Sequence, residues 1–139
     1  MGTIQIMDKM DKQIEDEAFI TCHNFMKAWK NKNWKKILKY CQITWVKDGH
    51  PNQSAVDWLK HSLSHIAPLE WSLKERNVVG EATVDITLTV SMMVDMGGYK
   101  TKQKVTKTRT ARVICELDSY QPSIDGTWGV NPVSCLRVE

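Results

Sequence analysis

Apolar side chains recur every three to four positions in the first half of the chain, a spacing typical of amphipathic helices. The first such stretch predicts one long helix from Asp8 to Lys32. Acidic residues crowd its beginning and lysines its end, which is the arrangement that the helix dipole favours. A single apolar stripe should face the core. It consists of Ile14, Ala18, Cys22, Phe25 and Trp29.

Two shorter helices are predicted next. Asn33 can cap a helix over Trp34–Cys41, and Ser54 can cap another over Ala55–Ile66. Between them, the β-branched and aromatic residues of Ile43–Lys47 favour a short strand.

The second half of the chain favours strands, most clearly over Thr83–Met92, where apolar and polar residues alternate. Gly97 and Gly98 favour a hairpin turn after this strand. Pro132 predicts a bulge or a sheet edge near the chain's end. The four predicted strands are Leu69–Val79, Thr83–Met92, Lys102–Leu117 and Thr127–Val138.

Helices followed by strands indicate an α+β fold. The 139 residues suit a single domain over 1–139, with residues 1–10 expected to fray. The formal net charge of +3 is too small to favour nucleic acid as a partner. No apolar run approaches the roughly 18 residues of a membrane span, so no membrane partner is expected.

The four cysteines lie in apolar-patterned segments without Cys-x-x-Cys spacing. Buried free thiols in a reducing, cytoplasmic compartment are therefore expected, and a metal site or other cofactor is not. They are Cys22, Cys41, Cys115 and Cys135.

The order of the elements resembles the nuclear transport factor 2-like superfamily, whose cystatin-like fold wraps a curved sheet around a long helix. The stretch from Phe25 to Leu38 resembles the family in its aromatic, small and large apolar positions, polar turn and short helix. Trp45–Gly49 and Asp125–Val130 resemble its short strand and its last strand. The resemblance implies three N-terminal helices packed on a strongly curved, mostly antiparallel sheet that encloses a cone-shaped pocket.

Members of this superfamily include isomerases, dehydratases, hydrolases, cyclases and non-catalytic binding or association domains. The ketosteroid isomerase pattern can be compared position by position. Its tyrosine falls on Phe25, its proton-abstracting aspartate on Gly49, and its second aspartate near Ala111. None of these residues can perform that chemistry, which needs a hydroxyl and two carboxyl groups.

The six tryptophans lie in nearly every predicted element, and large rings fill a small core efficiently. They could equally line a pocket for a small apolar or aromatic ligand. The predicted ligand-binding residues are Phe25, Trp29, Trp45, Trp58, Trp71, Val84, Leu88 and Trp128.

Three residues are the candidate acids and bases if the chain is an enzyme: Asp48, His23 and His65. Asp48 could also serve only in a turn. Asp57, His61 and His65 are spaced by four and could share one helix face, but no third metal ligand beside two histidines is visible.

A basic run follows the predicted hairpin, without an acid between its members. It could attract phosphate or an acidic partner, or simply keep the sheet soluble. On a strand, its first three lysines would share one face with Thr106, Thr108 and Thr110, whereas Lys107 and Arg109 would point to the other face. The run consists of Lys100, Lys102, Lys104, Lys107, Arg109 and Arg112.

Two hypotheses follow for the function. The first is a non-catalytic small-ligand-binding or association domain with an aromatic-lined conical pocket, forming a homodimer through the outer, Thr- and Ser-rich face of the sheet. The alternative is a cone-type enzyme, such as a dehydratase, an isomerase or a polyketide cyclase, that transfers protons on a cyclic apolar substrate.

Overall fold

The computed structural model describes residues 2–49, 53–95, 102–119 and 121–134, with side chains for residues 13–47, 55–95, 102–119 and 121–134. Helices precede an antiparallel sheet, which confirms the α+β class, and the sheet is not strongly curled. The elements are α1 (Gly2–Lys30), α2 (Trp34–Lys39), a π-helical turn (Trp45–Gly49), α3 (Gln53–Leu63), β1 (Ile66–Gly80), β2 (Thr83–Asp95), β3 (Lys102–Glu116) and β4 (Thr127–Val130).

The four strands lie in the order β1-β2-β3-β4, each antiparallel to its neighbour. Asp95 pairs with Lys102, so β2 and β3 are joined across the predicted Gly97-Gly98 turn, which lies outside the described residues. The pairing of β1 with β2 is interrupted by three bulges. The extra residues are Leu69, Lys74 and Val79, spaced five apart.

The predicted stripe of α1 packs on the sheet. Ala18, Cys22 and Phe25 are fully buried, and α1 contacts all four strands. The side chains of β2 that meet it are those that the alternation predicts to face the core. Burying them removes apolar surface from water, which is the main force holding the helix against the sheet. They are Val84, Ile86, Leu88, Val90 and Met92.

Polar contacts also hold the helix in place. The indole Nε1 of Trp29 donates to the carbonyl oxygens of Leu63 at 3.1 Å and Ile66 at 2.9 Å, which joins α1 to the turn between α3 and β1. Nearer the start of α1, Asp16 accepts a hydrogen bond from Arg76 of β1.

The short strand predicted over Ile43–Lys47 is wrong, because this segment is helical. The carboxylate of Glu116, only 4% exposed, accepts hydrogen bonds from the backbone N–H of Thr44 at 3.1 Å and from its hydroxyl at 2.8 Å. A side-chain acceptor at the first turn of a helix satisfies an N–H that has no partner within the helix. A residue distant in sequence thus overrides the local strand preference.

Several predicted boundaries also move. The cap at Asn33 is confirmed, since its side chain accepts from the N–H of Lys36. The cap at Ser54 is wrong, because α3 begins at Gln53. The last strand ends at Val130, and Pro132 lies in the turn that follows rather than in a bulge.

Candidate functional site

Between α1 and the inner face of the sheet, the described residues enclose one small cavity. A cavity of about 10 Å³ remains there, room for about one water molecule. Of the predicted ligand-binding residues, Trp29 and Leu88 line it, while Phe25 and Val84 are fully buried in the core. Phe25 meets Trp29 edge to face, with ring centroids 6.3 Å apart, an arrangement that aromatic pairs favour.

The other predicted ligand-binding residues are dispersed. Trp45 packs edge to face on Trp58 at 5.2 Å, beside the π-helical turn and α3. Trp128 of β4 donates its Nε1–H to Glu17 of α1 at 3.0 Å. Trp71 lies on β1 and contacts the solvent-exposed side of α1. The tryptophans therefore join different pairs of elements rather than lining one pocket.

The candidate acids and bases occupy different parts of the molecule. His23 is exposed on α1, and its Nδ1 accepts from the Trp71 indole at 3.0 Å. His65 is exposed in the turn after α3, so it does not share a helix face with Asp57 and His61 as predicted. The side chain of Asp48 lies outside the described residues. No group of three metal-ligating side chains forms within the part of the chain that the structure describes.

The positions matched to the isomerase carry no acid or hydroxyl in the structure. Phe25 and Ala111 are buried in the apolar core, and Gly49 ends the π-helical turn.

The predicted alternation of the basic run is confirmed for its described members. Lys102 and Lys104 are exposed on the outer side of the sheet, whereas Arg109 is 9% exposed on the inner side, opposite Leu88. Arg112 forms two hydrogen bonds to the carboxylate of Asp85, at 2.9 and 3.1 Å, and this hydrogen bonding raises the pKa of Arg112. Lys100 lies outside the described residues.

A groove of about 370 Å³ opens between the second half of α1 and the start of β1. We call it the α1–β1 groove. Its helical wall carries polar and basic side chains, and its strand wall carries an apolar, an acidic and an aromatic residue. It is lined by His23, Lys27, Lys30, Asn31, Leu69, Glu70 and Trp71.

The sequence spacing indicates the helical wall of this groove. His23, Lys27 and Lys30 follow one another at spacings of four and three, so they share a helix face. That face lies beside the buried stripe, and the helix dipole by itself already accounts for lysines near the end of α1. The bulge at Leu69 could not be predicted, and it determines where Trp71 lies.

The sheet presents its other side as a second candidate surface. We call it the outer face. Its centre carries hydroxyl groups in two hydrogen-bonded pairs across β2 and β3, Thr87 with Thr110 at 3.0 Å and Ser91 with Thr106 at 3.1 Å. The register assigns it Glu70, Ser72 and Glu75 of β1, Thr87, Thr89 and Ser91 of β2, and Lys104, Thr106, Thr108 and Thr110 of β3.

Comparison with protein-family models, with curated proteins and with solved structures finds no match to this chain. In the described ranges, no helix combines the length and the apolar character that crossing a membrane requires.

Proposed function

We propose that the chain is a non-catalytic association domain of the nuclear transport factor 2-like type, which pairs with a second copy of itself through the outer face. The order of helices and strands is the observation behind the family, and the small volume of the cavity that the described residues enclose beneath α1 favours association over binding a ligand there. The observation that carries the proposal is the division of charge across the outer face.

Acidic and basic side chains lie on opposite sides of the hydroxyl-rich centre. Glu70 and Glu75 lie on β1, whereas Lys102 and Lys104 lie on β3. All four are exposed. A two-fold axis within the interface, running along β2, places β1 of one copy over β3 of the other. By the register, Glu70 then lies over Thr106, two residues along β3 from Lys104, so that acidic and basic side chains come near each other in a contact that uses the same surface of both copies.

The charges also disfavour a second simple arrangement of the two copies. An axis running across the strands, through Thr89, would place β1 on β1 and β3 on β3. Glu70 would then lie opposite Glu75 of the second copy, and Lys104 opposite Arg112, and like charges brought together in this way oppose association. The axis along β2 is therefore the one we propose.

The area of the face predicts a contact of limited strength. Three strands about 4.8 Å apart, each about 40 Å long, present about 600 Å² per copy. Stable specific interfaces bury about 800 Å² per partner, so this one falls at the small end of the range. Its hydroxyl groups keep water when they pair, as in polar interfaces generally. We expect reversible dimerisation in the micromolar range.

Sedimentation velocity over a concentration series tests the proposal. Thr89→Lys should weaken dimerisation at least tenfold, because Thr89 lies near the proposed axis and the two introduced ammonium groups would meet. Ser119→Lys adds the same charge in the exposed turn after β3 and should leave the dimer intact. A wild-type protein that stays monomeric throughout the micromolar range would refute the proposal.

Charge reversal at Lys104 distinguishes the two axes. Lys104→Glu should weaken the dimer if β3 faces the acidic residues of β1. If this variant instead dimerises more tightly than the wild type, like charges meet across the strands and the proposed axis is wrong.

A further inference from the structure

We infer that the α1–β1 groove binds a small aromatic carboxylate, with the carboxylate held by Lys27 and Lys30 and the ring held against Trp71 and Leu69. This inference does not depend on dimerisation, because the groove residues Lys27, Lys30 and Trp71 lie outside the outer face and only Glu70 belongs to both. It also differs from the cone pocket expected from the sequence, because the groove lies outside the core that α1 forms with the sheet.

The volume and the two walls of the groove indicate the size and character of the ligand. A volume of about 370 Å³ lies within the range of small-molecule sites. Leu69 and Trp71 provide an apolar and aromatic wall on β1, and the side chain of Trp71 is half-buried. The opposite wall carries lysines, so a ligand that touches both needs a flat apolar body and a negative end.

The lysines are available for such a ligand. Lys27 and Lys30 are exposed and form no ion pair with any side chain that the structure describes. They are three residues apart, so they project from neighbouring turns of the same helix face. Glu70 also lines the groove, so the two lysines and this carboxylate leave one net positive charge there. A monoanion matches that charge better than a neutral or cationic ligand does.

The aromatic wall is held in position before a ligand arrives. Trp71 donates its Nε1–H to Nδ1 of His23, and the two ring centroids are 5.6 Å apart. His23 also stacks on Phe19, with centroids 6.3 Å apart. Because Nδ1 accepts this bond, the imidazole carries its proton on Nε2. Side chains that are already ordered lose less entropy when a ligand binds, which favours affinity.

Titration calorimetry with naphthoate and its neutral counterpart naphthamide tests the inference. Naphthoate should bind at least tenfold more tightly, because only its carboxylate can pair with the lysines. Lys27→Gln and Lys30→Gln should each weaken naphthoate binding about two- to fivefold, in the range of exposed charge pairs. Glu70→Gln should strengthen it about twofold, since the competing negative charge is removed.

Matched controls separate this site from general attraction between charges. Lys35→Gln and Lys36→Gln remove exposed lysines of α2, which do not line the groove, and should leave the affinity unchanged. Trp71→Leu should abolish detectable binding. If that variant is poorly folded by circular dichroism, the surface lysine variants still decide the question.

Three results would overturn the inference. The first is equal binding of naphthoate and naphthamide. The second is an unchanged affinity in both Lys27→Gln and Lys30→Gln. The third is naphthoate-induced chemical-shift changes, in amide and indole NMR spectra, that spare Trp71 and His23.

Discussion

Replacing Trp29 with Phe should destabilise the fold well beyond what a surface tryptophan costs. Trp29 is 2% exposed, and its indole N–H serves the carbonyls of both Leu63 and Ile66. Phe keeps one aromatic ring but loses this donor. Two carbonyl oxygens at the turn between α3 and β1 then lose a partner in a buried place.

The magnitude follows from two contributions. The ring volume that Phe does not replace leaves a cavity worth about 1 kcal/mol. Leaving a buried hydrogen-bonding group without its partner costs about 1–3 kcal/mol. The free energy of unfolding should therefore fall by about 2–4 kcal/mol, a large fraction of the 5–15 kcal/mol typical of a whole domain.

Urea denaturation followed by circular dichroism measures this loss, provided that the free energy of unfolding depends on urea concentration with the same slope in the variant as in the wild type. Trp128→Phe is the matched control. Its indole N–H donates to Glu17 at an exposed position, where water can replace the lost donor, so the free energy of unfolding should fall by less than in Trp29→Phe. If the two variants lose the same stability, the double hydrogen bond of Trp29 does not hold α1 to the α3–β1 turn.

Two further outcomes can be measured on the same protein. Gly129→Ala should prevent folding or lower the melting temperature sharply, because the added Cβ would lie 2.5 Å from the carbonyl oxygen of Cys41. Gly80→Ala is the control, because its added Cβ meets nothing closer than 3.8 Å. Equal melting temperatures of the two variants would contradict the tight contact at Gly129. Burial raises the pKa of the Cys115 thiol. The unfolded chain therefore loses this proton at a lower pH than the folded chain, and the free energy of unfolding should fall as pH rises above about 8.5. Chemical denaturation across this pH range measures the effect. If the free energy of unfolding of Cys115→Ala falls with pH as steeply as that of the wild type, the prediction is contradicted.

The sequence predicts this fold best where one residue pattern decides the outcome. The alternation in β2 identifies its buried face because a strand covered on one side requires that pattern. The stripe of α1 identifies its packing face for the same reason. Both predictions depend only on residues within the element itself.

The errors arise where a distant residue decides the local structure. The residues of Ile43–Lys47 favour a strand, but the carboxylate of Glu116 supplies a helix cap from 72 positions away. Trp45 then packs on Trp58 instead of within a sheet. No local propensity contains that information.

In the candidate sites, too, the sequence predicts what depends on one element and misses what depends on contacts between elements. The sequence indicates which residues share a face, as it does for Arg109 and the lysines of β3. It does not show that Arg109 lies under α1, or that Trp71, on the inner side of the sheet, donates to His23. The position of Trp71 depends on the bulges of β1, which arise in its pairing with β2.

The three bulges of β1 have a consequence for aggregation. Within the described sheet, β1 is an edge strand of 15 residues, long enough to recruit strands from other molecules. An incoming strand with regular backbone spacing would lose alignment at Leu69, at Lys74 and again at Val79. We therefore expect the bulges to hinder fibril growth by strand addition along β1 at intervals of five residues.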